Sequence, residues 1–234
     1  MIVMLHSFLL IGQSNMAGRG LIAEAHEIDT TRIKISSNGC WNAMFRPINR
    51  DRPFAGVNLA ESFAESYAKK HDVDVGLITC AEGNSKLDDW MPGNTLYDNA
   101  VSCCRLAART SEIKGVLWHQ GECDIPEERR LTYQKRFEHF MRALRHDANL
   151  GDIPFLIGGL GDFLADCTLG NQEEDRTYYL LNRVFEKIAA ENANVGFVSA
   201  VGLGANDDNL HFNSDALYHF GLRYFEKFEQ MTNP

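Results

Sequence analysis

Three short segments carry the side chains with chemistry to offer. Gly12-Gln13-Ser14-Asn15-Met16-Ala17-Gly18 sets a hydroxyl between glycines directly after the apolar run Phe8-Leu9-Leu10-Ile11. A serine on such a turn has backbone N–H groups free behind it. Asp208-Asn209-Leu210-His211 places a carboxylate three residues before an imidazole. Folded back, that carboxylate would fix the ring tautomer and stabilise the imidazolium formed during proton transfer. Trp118-His119-Gln120-Gly121-Glu122-Cys123-Asp124 gathers an amide and two carboxylates behind another apolar run. Hydroxyl, imidazole, carboxylate and amide are the parts of nucleophilic acyl transfer.

Each segment also has a plainer reading. Ser14 alone suits the cap of a short helix. A phosphate loop is excluded there, because no Lys completes the Gly-Lys-Ser/Thr ending, and the Gly-x-Ser-x-Gly elbow is absent. His211 alone would be a helix-entry residue. His119 suits a hydrogen-bonded wall, and Asp124 suits a helix cap. Gly83, in Ala81-Glu82-Gly83-Asn84-Ser85, is either a turn glycine or a backbone donor near substrate. Cys123 is a second candidate nucleophile, ranked behind Ser14. Trp41, Trp90 and Phe163 sit near predicted strand-end loops, where they would stack on a sugar or edge the core, with the core expected for at least one.

The elements that must position these groups follow from hydrophobic periodicity. The apolar runs Phe8–Ile11, Val75–Ala81, Val116–Trp118, Phe155–Ile157 and Val195–Val198 are too short for core helices and end at Gly or polar residues, which predicts strands. Helical spacing covers 57–70, 176–190 and 214–229, with further helices near 96–109 and 127–147, the latter opened by Pro126. Continuous apolar strands alternating with helices predict a parallel sheet covered on both faces. Ligands in such sheets bind beyond the carboxyl ends of the strands, where all three polar segments lie. With no repeat, low-complexity tract or linker, residues 1–234 read as one domain.

Composition narrows the partners. With 23 Lys and Arg against 32 Asp and Glu, the net charge is −9, which argues against nucleic acid. The basic pair Arg129-Arg130 suits a solvated helix surface. Met1 to Leu5 lead into the first apolar run without a basic region, and the run ends at Gly12, too early for a membrane span. Cys40, Cys80, Cys103, Cys104, Cys123 and Cys167 show neither CxxC nor zinc spacing. Free thiols in a reducing compartment are expected, hence a cytoplasmic location, with a trimmed secreted form left open.

Taken together and in this order, the three segments resemble the blocks of the SGNH-hydrolase superfamily. The branch they resemble comprises the sialic acid-specific acetylesterases and carbohydrate esterase family six, which includes acetylxylan esterases. In the third block Gln120 stands where the superfamily usually has Asn. The resemblance implies a three-layer α/β/α fold with a small parallel sheet, flavodoxin-like in outline. It implies Ser14 as nucleophile, His211 as general base and acid, and Asp208 as its orienting partner. It places the oxyanion hole at the N–H of Ser14, the N–H of Gly83 and the side-chain amide of Gln120, although the branch often has Gly-Gly where this chain has Gly83-Asn84. Gln13, Asn15 and Glu122 become supporting residues, with Glu122 either bracing the site or giving His211 a second carboxylate. The implied substrate is an acetyl ester of a sugar or polysaccharide, with no metal, cofactor, nucleic acid or membrane required. Three alternatives stand beside it: a short-chain lipase or thioesterase of the same superfamily, a non-catalytic carbohydrate-binding protein, and an FMN or nucleotide binder.

Overall fold

A computed structural model describes residues 5–167 and 172–233. The five predicted strands are present as β1 (Leu5–Gly12), β4 (Val75–Thr79), β5 (Ser111–His119), β6 (Phe155–Gly158) and β7 (Val195–Val198). Two further strands, β2 (Ile33–Ser37) and β3 (Cys40–Ala43), form a hairpin. The sheet order is β3-β2-β4-β1-β5-β6-β7. Every neighbouring pair is parallel except β2 and β3, so the expected parallel sheet is a mixed one with an antiparallel edge. β2 and β3 carry too few apolar residues for the runs that mark buried strands, and β3 is largely exposed.

Among the described residues, seven α-helices complete the layers: α1 (Ser14–Ala17), α2 (Ala60–His71), α3 (Thr95–Ala107), α4 (Glu127–Asp147), α5 (Gln172–Asp175), α6 (Tyr178–Glu191) and α7 (Ser214–Thr232). β1 shows why the sheet is covered twice. Leu9 and Ile11 face one core with Phe137 and Phe140 of α4 and Phe185 of α6. Phe8 and Leu10 face the other, with Phe63 of α2 and Phe220 and Phe228 of α7. A strand buried on both sides must be apolar at every position, which is the run read in the sequence.

β1 lies between β4 and β5, where the winding reverses direction. The carboxyl ends of these three strands therefore open a crevice. At its base Gly12 takes φ +135°, and a Cβ there would sit 2.0 Å from the His119 carbonyl oxygen. Only glycine lets β1 end this close to β5.

Candidate active site

Ser14 is the first residue of α1, the single helical turn that follows β1, and is 7% exposed. At that position its N–H has no intrahelical acceptor. The loop of residues 199–213, between β7 and α7, returns across the sheet and brings His211 to it. His211 Nε2 stands 3.0 Å from Ser14 Oγ, and His211 Nδ1 stands 2.6 Å from Asp208 Oδ2. Asp208 Oδ1 accepts the N–H groups of Leu210 and His211, each at 2.9 Å. Burial pushes the Asp208 carboxyl up, but the hydrogen bonds from the His211 ring and from these two N–H groups outweigh it and hold it below its ordinary value. An ionised Asp208 only accepts, so Nδ1 carries the ring proton and the Nε2 lone pair faces the Ser14 hydroxyl.

The supporting residues lock this loop in place. Asn15, 1% exposed, accepts the Phe212 N–H on Oδ1 at 3.1 Å and donates to the Leu210 carbonyl at 3.1 Å. Its Nδ2 also donates to Glu122 Oε1 at 2.5 Å. Glu122 thus braces Asn15; it is not a second carboxylate for His211. Gln13 Oε1 accepts the N–H groups of Gly121 and Cys123 at 3.2 and 3.4 Å.

Two expected oxyanion donors are committed elsewhere. The Gln120 side chain is fully buried. Its Nε2 donates to Asp124 Oδ2 at 2.6 Å and to the Ser85 carbonyl at 3.3 Å, while its Oε1 accepts the Tyr133 hydroxyl at 2.9 Å. The Gly83 N–H donates to Asp51 Oδ2 at 2.9 Å. A Cβ on Gly83 would meet Arg19 Nη2 at 2.6 Å and Asp51 Oδ2 at 2.7 Å, so this glycine makes room for an ion pair. Of the three expected donors, the Ser14 N–H has no backbone acceptor among the described residues. Gln13 and Asn84 also line the cleft, and the Asn84 N–H has no backbone acceptor among the described residues.

The neighbours of the third segment resolve as well. His119 is a wall: fully buried, it donates from Nε2 to the Gly159 carbonyl at 3.1 Å and packs edge-on against Phe212 and Phe220. Burial pushes its imidazole below the ordinary value, although Glu122 and the Gly159 carbonyl pull the other way. Asp124 does not cap α4; it accepts from Leu87 N, Gln120 and Arg136. Cys123 lines the cleft, but burial, reinforced by Glu122 and Asp124, pushes its thiol up to about 11, which keeps it protonated and unsuited to attack. All six cysteines are free thiols.

Ser14, His211 and Glu122 line a cleft of ≈ 290 Å³ together with Arg19, Arg52 and Phe54. These last three escaped the sequence reading. Arg52 and Phe54 belong to the irregular stretch between β3 and α2, and its signal is the run Arg50-Asp51-Arg52-Pro53-Phe54. Arg19 pairs with Asp51 through two hydrogen bonds, and these side chains are 5% and 2% exposed. None of the three aromatic residues read near strand-end loops is among the cleft-lining residues, and Trp90 lies in the core, as expected for at least one of them. Trp90 is buried edge-on against Trp118, Trp41 on the edge strand donates to Thr110, and Phe163 packs on Phe212. Among the described residues no group of three His, Cys, Asp or Glu is placed to hold a metal ion, and no helix is long and apolar enough to cross a membrane.

Residues 4–230 match the family described as carbohydrate esterase, sialic acid-specific acetylesterase. A probable carbohydrate esterase of Arabidopsis thaliana is 28% identical over 244 residues, covering 92% of this chain and 86% of the relative. The crystal structure of an Arabidopsis thaliana protein superposes with a TM-score of 0.82 at 25% identity, over 97% of this chain and 98% of that one. The fold is shared with NanS, with a TM-score of 0.73 at 18% identity over 99% of both chains. A carbohydrate acetylesterase from Xanthomonas citri also has a TM-score of 0.73, at 19% identity, over 96% of this chain and 56% of its own. The same α/β architecture, a central sheet between layers of helices, is found in these structures.

Proposed function

This chain belongs to the sialic acid-specific acetylesterase family of carbohydrate esterases, and we propose that it is, over residues 1–234, a single-domain serine esterase that removes O-acetyl groups from sugars. The observation that carries the reading is the unbroken hydrogen-bonded series from Asp208 through His211 to Ser14 at the wall of the cleft.

In this mechanism His211 Nε2 takes the Ser14 proton as Oγ attacks the acetyl carbonyl. Asp208 holds the ring and stabilises the imidazolium. The oxyanion is met by the Ser14 N–H, with the Asn84 N–H and Gln13 Nε2 as the further cleft-lining donors. His211 returns the proton to the departing sugar oxygen, and the acetyl group remains on Ser14. Water, deprotonated by the same imidazole, then releases acetate. The cleft volume sits at the lower end of the range for ligand pockets, roughly 300–1,000 Å³, which suits a short acyl group better than a long chain.

The test is Ser14→Ala assayed on p-nitrophenyl acetate and octanoate, with fluorophosphonate labelling of the wild type. The reading expects labelling at Ser14, acetate favoured over octanoate, and turnover lost in the variant. Wild-type turnover by Ser14→Ala would refute it.

A further inference from the structure

Phe54 lines the cleft that holds Ser14 and is 69% exposed. Despite that exposure the ring is seated. The Arg19 guanidinium carbon stands 5.3 Å from its centroid, a cation–π contact. Arg19 is itself buried and held by Asp51. One ring face therefore rests against a buried cation and the rest is left to solvent. Beside it, Arg52 is held by the carbonyls of Asp51 and Gly83 and by Glu82 at 2.5 Å. Arg52 and Asn84 also line the cleft.

An exposed aromatic face resting on a buried cation, in a cleft also lined by a guanidinium and an amide, complements a pyranose, whose C–H groups form an apolar side and whose hydroxyls project at the rim. An open-chain alcohol gains little from such a face. The geometry points to Phe54 as the platform on which the sugar ring of the ester's alcohol portion stacks, with Arg52 and Asn84 meeting its hydroxyls. This assignment rests on the acetylesterase reading and adds the residue that selects a ring-shaped alcohol.

The test compares wild type, Phe54→Ala, Phe54→Leu and Phe54→Tyr on ethyl acetate and on a mono-O-acetylated methyl pyranoside. Leucine keeps the apolar bulk but not the flat face, whereas tyrosine keeps the face. The kcat/KM ratio of pyranoside to ethyl acetate should fall about tenfold in the Ala and Leu variants, through KM, and return in Phe54→Tyr. A ratio in Phe54→Ala within about twofold of wild type would overturn the assignment while the esterase reading stood. No turnover of either ester by the wild type would overturn both.

Discussion

Glu122 reaches Asn15 rather than His211, through a hydrogen bond of 2.5 Å. Because Asn15 also bonds Leu210 and Phe212, the peptides on either side of His211 are tied to the turn that carries Ser14. Under the proposed mechanism Glu122 is a positioning residue, acting on the imidazole through the Asn15 amide. Glu122→Ala is expected to lower kcat on p-nitrophenyl acetate by roughly 10- to 100-fold, the scale of a small misplacement of reacting groups. Glu122→Gln, which keeps an acceptor for Asn15, should recover most of the rate.

Asp208→Asn should be far more severe. The amide cannot accept the Nδ1 proton as a carboxylate does, and the wrong tautomer then faces Ser14. A fall in kcat on the order of 10⁴-fold is expected with the fold retained. Circular dichroism and steady-state kinetics check both halves, and a loss under about tenfold would move the orienting role elsewhere.

The two glutamines should separate. Gln13→Glu keeps an oxygen for the Gly121 and Cys123 N–H groups and removes the amide donor, so kcat should fall about 100-fold with KM little changed. Gln120→Leu instead deprives buried Asp124 and Tyr133 of a partner, which costs about 1–3 kcal/mol of stability. Its signature is a melting temperature lower by several degrees, since each kcal/mol is worth about 2–4 °C at this size. A rate loss of about 100-fold in Gln120→Leu at unchanged melting temperature would return that amide to the oxyanion.

His119 predicts a pH dependence of stability. Its imidazole is depressed in the folded protein, chiefly by burial. The unfolded chain, with an ordinary histidine near about 6.5, binds the proton more readily. Stability from this group is therefore fully present above about pH 6.5 and is lost as pH falls through the lowered folded value. Melting temperature should decline less steeply between about pH 6.5 and pH 5 in His119→Asn than in wild type. Parallel curves would show that His119 does not take up a proton on unfolding.

The sheet was legible wherever a strand is buried on both faces, because such strands must be apolar throughout. The β2–β3 hairpin was not, since its outer strand is exposed and carries no such run. Ser14, Asp208 and His211 were legible because each sits in a short segment after a strand and meets its partners by simple loop return. Which amide lines the cleft was not. Whether Gln120 or Gln13 faces the cleft depends on which buried acceptor captures which amide, and Asp124 captures Gln120. Phe54 and Arg52 were hidden for a related reason: their stretch reaches the cleft through the Arg19–Asp51 pair, a contact that neither periodicity nor strand ends announce.

The hydroxyl and the imidazole are 197 positions apart in the chain, one beside the first strand and the other just before the final helix. Synthesis from the N-terminal side therefore delivers Ser14 long before the imidazole it meets. Over that interval the nascent serine has no imidazole partner, and under the proposed mechanism hydrolysis waits until the loop of residues 199–213 docks. Under the proposed mechanism, termination upstream of residue 211 would leave a fragment without its general base, however well its sheet had formed.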